Sequence, residues 1–251
     1  WGLERTAIAL IAREDFGITS AAVSLSFIAG FGITKTFANL FAGGLMDRVG
    51  RRGVLVMGWT LGLPVPLMII WAPQWEWIVA ANLLLGINQG LCWTATIVMM
   101  LDMMGAKRRG LSTGLNEFVG YSGVAVTTLG TGFVAAAFAP RPHPFFLGIG
   151  LATMGLLLSA LLVRDTVHYS REEATQNPKW IGPRSFWGSF GAALRDRTLV
   201  SCNQAGLVTK INDAAVWGLF PLFLASQGLG VVRIGLVAAI YPQVWGLTQL
   251  G

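Results

Sequence analysis

Charge is scarce in this chain: only 12% of its 251 residues are Asp, Glu, Lys or Arg, whereas 54% are hydrophobic. A soluble domain carries about a quarter charged residues, so this composition argues against a water-soluble fold. Cysteine is also scarce, and both copies, Cys92 and Cys202, lie inside apolar runs. They are better explained as small buried residues than as a disulfide framework. The composition therefore indicates a protein embedded in lipid.

Several motifs of catalysis are missing from the sequence. His143 and His168 are far apart, on what we expect to be opposite sides of a membrane, and no cluster of metal ligands accompanies them. No Gly-Lys-Ser/Thr phosphate loop, nucleophile elbow or paired-carboxylate site is present. The net charge of +6 forms no basic face or tail, which disfavours nucleic acid. We therefore expect no enzymatic activity, no cofactor, no metal and no nucleic-acid partner.

Long apolar runs, by contrast, recur along the whole chain. A hydrocarbon core of about 30 Å needs about 20 apolar residues in a helix, and open backbone cannot face lipid. The sequence thus predicts an all-α integral membrane bundle. The first run resembles half a helix and the last is cut short, so we expect seven or eight helices of a larger bundle. The predicted spans are residues 1–12, 20–42, 54–72, 76–103, 111–138, 144–163, 198–226 and 232–251.

Basic residues outside the spans divide unequally between the two sides. With the 43–53 hairpin in the cytoplasm, twelve Lys and Arg lie on the side of the hairpin and four lie on the other side. One of the four, Arg5, falls within residues 1–12, so a place inside the first span is the alternative for it. The positive-inside rule then makes segments 43–53, 104–110 and 164–197 cytoplasmic. We expect a multi-pass protein of a bacterial inner membrane. The four basic residues on the other side are Arg5, Arg13, Arg141 and Arg233.

The longest predicted loop, residues 164–197, separates two parts of the chain, residues 1–163 and residues 198–251. Its segment "SFWGSFGAALRDR" places Phe186, Trp187, Phe190 and Leu194 on one helical stripe, which is typical of an interfacial helix. An unstructured polar linker explains the same composition equally well.

The hairpin "GGLMDRVGRR" carries the most specific motif of the chain. It resembles the signature between the second and third helices of the major facilitator superfamily, Gly-x-Leu-small-Asp-Arg/Lys-x-Gly-Arg-Arg/Lys. Seven positions match in register, and only Met46 departs from the usual small residue. The matching residues are Gly43, Leu45, Asp47, Arg48, Gly50, Arg51 and Arg52.

Other stretches are similar to this family and also differ from it. "LERTAIAL" resembles the end of the first helix, with Glu4 in place of an Asp. "LLLGINQG" matches a Gln-Gly pattern at Gln89, but Gly86 stands where the family has an arginine. The antiporter signature of helix five is absent. The resemblance implies a fragment running from the end of helix one to most of helix eight of twelve. Residues 1–163 are then the first six-helix half, residues 164–197 the central loop, and residues 198–251 the start of the second half.

In this family the charged hairpin resembles a latch that closes the cytoplasmic side and breaks during transport. The resemblance implies that role for Gly43, Asp47, Arg48, Gly50, Arg51 and Arg52. Asp102, near the cytoplasmic end of the fourth span, is the obvious acidic partner for Arg48 or Arg51. A static topology anchor is the alternative, and one hairpin can serve both purposes.

Titratable residues inside the predicted spans are few: Glu4, Lys35, Glu117, Lys210 and Asp213. Such groups are costly in lipid and usually face a cavity or each other. Lys35 and Glu117 both lie about 10 Å from the cytoplasmic end, which permits a contact. Lys210 and Asp213 are spaced to pair on one helical face. Internal ion pairs and contact with substrate or protons explain these residues equally well. The polar residues Asn39, Asn88, Gln89 and Asn116 complete the candidate cavity.

The sequence predicts a secondary transporter that moves a small organic solute by alternating access. Protons are the natural coupling ion, with Glu4, Glu117 or Asp213 as carriers, and a sparse, mixed-charge cavity suits an organic anion meeting Lys35 or Lys210. The expected partners are the solute, the proton and the bilayer, and we expect a monomer. A membrane receptor or scaffold of the same fold without transport is the alternative.

Overall fold

The computed structural model describes residues 1–176 and 186–250, and in these residues the chain is helical with no strand. Seven of its described segments are long and apolar enough to cross a membrane. They are Ala22–Val49, Arg51–Ile70, Trp75–Met104, Arg109–Ala137, His143–Leu161, Arg197–Ser226 and Val231–Thr248. The helices are α1 (Glu4–Glu14), α2 (Ala21–Ser24), α3 (Ser26–Val49), α4 (Arg51–Gly62), α5 (Pro64–Ile70), α6 (Trp75–Met104), α7 (Arg109–Ala137), α8 (His143–Leu161), α9 (Val167–Gln176), α10 (Phe186–Arg195), α11 (Arg197–Ser226) and α12 (Val231–Thr248), with a short 3-10 helix at Ala106–Arg108.

The predicted all-α membrane bundle is thereby confirmed, with its spans close to the predicted positions. The segment between residues 1–163 and residues 198–251 contains two helices, α9 and α10. The helical alternative is therefore correct for Phe186–Arg195. Residues 177–185 of the predicted 164–197 loop lie outside the described residues.

A single glycine makes the sharp turn between α3 and α4. Gly50 has φ +81°, in the left-handed region that favours glycine, and its backbone N–H donates to the Met46 carbonyl at 3.0 Å. A Cβ at this position would also collide with the carboxylate of Asp165. The conformation explains the glycine of the hairpin motif. We call the end of the bundle that contains Gly50 the hairpin end, and the other end the opposite end.

Close approach of α3 and α6 depends on two glycines of α6. A Cβ on Gly86 would collide with the Thr34 hydroxyl and the Phe31 carbonyl, and one on Gly90 would lie 2.5 Å from the Ala38 Cβ. Small residues let membrane helices pack backbone against backbone where no hydrophobic driving force exists. This contact fixes α3, and with it Lys35, against α6.

Replacing Gly90 by leucine is expected to destabilise the bundle, because the added side chain has to displace α3. Overpacking of this kind costs about 1–3 kcal/mol. The melting temperature of the full-length protein in detergent measures the effect. Gly32→Leu is the control, since a Cβ on this exposed glycine of α3 meets nothing within 4 Å. Equal melting temperatures for Gly90→Leu and Gly32→Leu would contradict the close α3–α6 contact.

Two interfaces join the first part of the chain to the second. Along α7 and α12, a Cβ on Gly235 would lie 3.0 Å from the Cα of Gly132, and a Cβ on Gly246 would lie 3.2 Å from the Phe118 carbonyl oxygen. At the second interface α11 packs against α1 and α3, where Trp217 belongs to a buried core of apolar residues. The candidate site lies between these two interfaces.

Candidate functional site

At the hairpin end, a buried arginine connects α4 to α6. The Nε of Arg51 is 3.1 Å from Oδ2 of Asp102, and the two side chains are only 10% and 9% exposed. Arg51 also donates to the Met46 carbonyl at 3.4 Å. Of the two partners that the sequence offered to Asp102, the structure brings Arg51 and not Arg48. A buried pair of this kind is costly to break, because each charge loses its counter-charge without regaining water.

The segment that follows α8 completes this network with residues that the sequence analysis missed. Thr166 donates to Oδ2 of Asp102 at 2.8 Å, and Arg51 donates to the Ser170 hydroxyl at 3.4 Å. Asp165 accepts from the backbone N–H of Arg52 at 3.0 Å. The sequence signal that could have indicated this contribution is an acidic residue, Asp165, shortly after the predicted span 144–163, which ends on the same side of the membrane as the hairpin. The network therefore joins α4, α6 and α9.

The other residues of the motif take more peripheral positions. Asp47 is 76% exposed, and its carboxylate lies 3.5 Å from Arg51. Gly43 and Arg48 are exposed. Arg52 is exposed as well, and its guanidinium donates to the Ala160 carbonyl. The structure therefore gathers Arg51, Asp102 and the turn at Gly50, and leaves Gly43 and Arg48 at the surface.

A second buried ion pair lies deep in the bundle and joins the two parts of the chain. Nη2 of Arg5 on α1 is 2.7 Å from Oδ1 of Asp213 on α11, and the side chains are 2% and 10% exposed. The sequence analysis counted Arg5 on the side opposite the hairpin and left open that it lies within the first span, and its burial within α1 agrees with the second placement.

The pairing of Lys210 with Asp213 that the spacing permits is wrong. Lys210 donates instead to the Tyr121 hydroxyl of α7 at 3.0 Å. Lys210 is an exposed residue, whereas Arg5 is only 2% exposed. An unpaired buried arginine would cost more than an exposed lysine, so Asp213 pairs with Arg5.

The contact between Lys35 and Glu117 that their equal depths permit is not made, and among the described residues no salt bridge joins them. The indole N–H of Trp93 donates to Oε1 of Glu117 at 2.8 Å. Nζ of Lys35 lies 5.1, 5.4 and 5.6 Å from the ring centroids of Trp1, Phe31 and Trp93, within cation–π range. Trp93 thus contacts both charged side chains. The similar depths of Lys35 and Glu117 along their helices do not reveal this intervening ring.

Aromatic rings surround these charges and connect them. Tyr121 lies with its centroid 5.6 Å from Trp93, and Trp217 lies 5.1 Å from Phe31. Nζ of Lys210 is 5.5 Å from the Trp245 centroid. We call this group the central cluster. It consists of Trp1, Arg5, Phe31, Lys35, Trp93, Glu117, Tyr121, Lys210, Asp213, Trp217 and Trp245.

Four polar residues predicted for the same cavity line a different one. Glu4, Asn88, Gln89 and Asn116 line a side cavity of about 1260 Å³ between α4, α6, α7 and α8, and Trp1 and Trp93 of the central cluster line the same cavity. Asn88 donates to the Gly58 carbonyl at 2.9 Å, which holds α6 to α4. Oε2 of Glu4 and Oε1 of Gln89 are buried without a hydrogen-bond partner.

Asn39, the remaining polar residue of the predicted cavity, is exposed on α3 and accepts from the Thr94 hydroxyl at 3.1 Å. The structure therefore places Lys35, Glu117, Lys210 and Asp213 in the central cluster, and it places Glu4, Asn88, Gln89 and Asn116 on the cavity that adjoins the cluster.

These features define a class of protein. Membrane-length helices with a charged hairpin at one end and a cluster of buried charges in the interior form an integral, multi-pass membrane protein. The chain belongs to the Major Facilitator Superfamily, whose family profile matches residues 3–250. The match confirms the family resemblance of the hairpin and agrees with a helical bundle of that fold.

Individual relatives are distant and cover different shares of the chain. The proton-coupled antiporter flippase LtaA of Staphylococcus saprophyticus is 30% identical over 62% of this chain and 37% of its own length. The multidrug resistance protein MdtL of Klebsiella pneumoniae is 25% identical over 81% of the chain and 50% of its own length. Facilitated glucose transporter member 12 of solute carrier family 2 from Mus musculus is 22% identical over 96% of the chain and 36% of its own length. The chain thus spans half or less of the length of these curated relatives.

Proposed function

We propose that the chain is part of a secondary transporter that carries a small organic solute across the membrane by alternating access. The observation that carries this proposal is the buried Arg5–Asp213 pair, whose charged atoms are 2.7 Å apart. It joins the two parts of the chain deep in the bundle, where titratable residues are costly and usually functional. A pair in this position has to separate whenever the two parts move apart.

Apolar contacts seal the bundle between this pair and the opposite end. The ring of Trp217 lies 5.4 Å from Phe27 and 5.1 Å from Phe31, measured between centroids. One residue further along α11, a Cβ on Gly218 would collide with the Leu25 side chain. Between Ser201 and Val208, by contrast, α11 is exposed toward the hairpin end. This arrangement is closed at the opposite end, and opening there requires the loss of the Arg5–Asp213 pair.

Protons are the coupling ion that suits this pair. A proton carried by the Asp213 carboxylate neutralises it and removes the attraction to Arg5, so in this proposal proton uptake accompanies the separation of α1 from α11. Glu117 and Glu4 are further carriers in this proposal, since both carboxyl groups lie inside the bundle without a salt bridge among the described residues. The name of the flippase relative includes proton-coupled antiport, which supports the same choice.

The solute that fits the central cluster is an organic anion. Lys35 and Lys210 face aromatic rings and, among the residues described, neither forms a salt bridge. They come from α3 in the first part and from α11 in the second. An anion held between the two ammonium groups would contact both parts, and its apolar body would stack on the rings of Trp93 and Tyr121.

In this proposal the hairpin latch holds the hairpin end closed, just as the Arg5–Asp213 pair holds the two parts together deeper in the bundle. The Arg51–Asp102 pair and its neighbours hold α4, α6 and α9 together, and they release when that end opens. Segments 43–53, 104–110 and 164–197 lie in the cytoplasm by the positive-inside rule. We also propose a monomer in a bacterial inner membrane, in keeping with the bacterial sources of two relatives.

The test is solute flux in proteoliposomes made with the full-length protein. A thermal-shift screen of organic anions at acidic and alkaline pH first identifies a stabilising solute. We expect vesicles loaded with that solute to accumulate its radiolabelled form by counterflow, and a proton gradient to increase the accumulation. Stabilisation without counterflow would contradict transport and favour the receptor or scaffold alternative.

Replacing either lysine by methionine is expected to weaken solute binding about tenfold, because a lost charged contact of about 1.4 kcal/mol is one factor of ten. Methionine keeps the apolar length of the side chain. The dissociation constant from titration of the full-length protein measures the effect, and Lys107→Met, at an exposed position near the hairpin end, is the control. Equal affinity in Lys35→Met, Lys210→Met and the control would exclude an anion held by these lysines.

A further inference from the structure

At the opposite end of the bundle, a series of side-chain contacts runs from the loop between α7 and α8 to α11. Arg141 is the first residue of this series, and the contact between Phe27 and Trp217 is its last step. We propose that Arg141 is a positioning residue for that last contact, which we call the outer gate. This inference rests on the proposed function, in which the contacts of Trp217 close the opposite end.

Arg141 joins three loops at this end. Its Nε lies 2.6 Å from Oδ2 of Asp15, which follows α1, and its Nη1 donates to the Ala72 carbonyl after α5 at 2.7 Å. The side chains of Arg141 and Asp15 are 21% and 27% exposed, so the pair is partly shielded from water. The guanidinium carbon also lies 5.1 Å from the ring centroid of Phe16, within cation–π range. One side chain thus fixes the loop after α1 against the loop after α5.

The carboxylate of this pair stands where its own helix gains nothing from it. Asp15 is the C-cap residue of α1, and a negative charge there meets the negative end of the helix dipole. The guanidinium of Arg141 supplies the opposite charge at 2.6 Å. The pairing with Arg141 therefore explains why an acidic residue is stable at the end of α1.

Ring contacts lead from Phe16 to the outer gate. Measured between centroids, Phe16 lies 5.9 Å from Trp75, and Trp75 lies 6.1 Å from Phe27. Phe27 in turn lies 5.4 Å from Trp217, and all three contacts are edge-to-face. Trp75, Phe27 and Trp217 are only 7%, 0% and 3% exposed. In a close-packed interior these rings have little room to adjust independently, so a shift of Phe16 displaces the next ring.

Trp75 is also connected to the backbone that carries the gate. Its indole N–H donates to the Val23 carbonyl at 3.1 Å and to the Ser26 hydroxyl at 2.9 Å. Ser26 is the first residue of α3, the helix of Phe27. A change in the position of Trp75 therefore acts on Phe27 through the ring contact and through the start of α3.

The test measures the separation of the two parts with spin labels placed away from these loops. Leu147→Cys on α8 and Gln227→Cys after α11 are at exposed positions, in a cysteine-free background of the full-length protein. Arg141→Met keeps the apolar stem and removes the charge, and we expect it to increase the share of the longer distance several-fold. Arg233→Met, at an exposed position on α12 at the same end, is the control and should leave the share unchanged. Equal shares in these two variants would overturn the positioning role.

A double variant shows whether Arg141 acts through the rings, because coupling along a series of contacts has to be measured. Phe27→Leu weakens the outer gate directly and should also increase the share of the longer distance. Arg141→Met/Phe27→Leu should then resemble Phe27→Leu alone, since positions that act through one contact are not additive. Increases that add in the double variant would overturn the route through Phe27. Asp15→Asn removes the same ion pair from the other side and replaces Arg141→Met if that variant does not fold.

The two kinds of failure are distinguishable, because the distances are measured without solute or a proton gradient. If Phe27→Leu changes the share of the longer distance and Arg141→Met does not, the outer gate is supported and the positioning role is overturned. If Phe27→Leu itself leaves the distances as in the wild type, the closed gate of the proposed function is contradicted, and the role of Arg141 is overturned with it.

Discussion

Replacing Asp213 by asparagine is expected to abolish proton-driven accumulation of the solute. The change leaves the guanidinium of Arg5 buried without its counter-charge, and breaking a buried pair costs about 3–5 kcal/mol. The closed state at the opposite end loses that stabilisation, and the side chain at position 213 can no longer exchange a proton. Accumulation against a gradient in proteoliposomes measures the effect, and Glu14→Gln, at an exposed position on α1, is the control.

A double variant separates a transport role from a merely structural one. Replacing both members of the pair, in Arg5→Met/Asp213→Leu, leaves no unpaired charge, so the melting temperature should recover much of what Asp213→Asn loses. Proton-driven accumulation should not recover. If the double variant regains both stability and proton-driven flux, the pair serves only to hold the helices together.

Replacing Arg51 by alanine is the second change with a large expected effect. It leaves Asp102 buried with Thr166 as its remaining partner, at a cost of about 3–5 kcal/mol for the broken pair. Flux should fall to a small fraction of the wild-type rate, while the protein still inserts into the membrane. Initial rates of uptake and the amount of protein in the membrane fraction measure the two effects separately.

The same motif provides the matched controls. Arg48→Ala removes an exposed arginine at the end of α3, on the other side of the Gly50 turn, and should change neither flux nor stability, because exposed charges contribute little. Arg51→Lys should recover activity only in part, since an ammonium cannot reach Asp102, the Met46 carbonyl and Ser170 together. Wild-type flux in both Arg51→Ala and Asp102→Asn would contradict a latch at the hairpin end.

Hydrophobic runs predicted the membrane helices well. The predicted span 76–103 corresponds to Trp75–Met104, and 111–138 corresponds to Arg109–Ala137. The span 20–42 ends too early, because α3 continues to Val49 through the charged hairpin. A hydropathy pattern reports where lipid surrounds a helix, whereas the helix itself continues until Gly50 turns the chain.

The titratable residues were identified from the sequence, but their partners were not. Depth in the membrane can be counted along one helix and permitted a contact between Lys35 and Glu117, and the spacing on one helix permitted a pair between Lys210 and Asp213. Contact also depends on how each helix is rotated about its axis, and that rotation is set by packing such as Gly86 and Gly90 against α3. The contribution of Asp165 and Thr166 was missed because position along the chain does not show which helices the segment after α8 contacts at the hairpin.

The most direct test of the account is a distance across the opposite end of the bundle. Spin labels at Ser20→Cys and Gln227→Cys, both at exposed positions, report the separation of the two parts after Cys92 and Cys202 are replaced by alanine. The account predicts a short distance at alkaline pH, a longer one at acidic pH, and the longer one at every pH in Asp213→Asn. A single distance that responds neither to pH nor to Asp213→Asn would contradict a gate made by the Arg5–Asp213 pair.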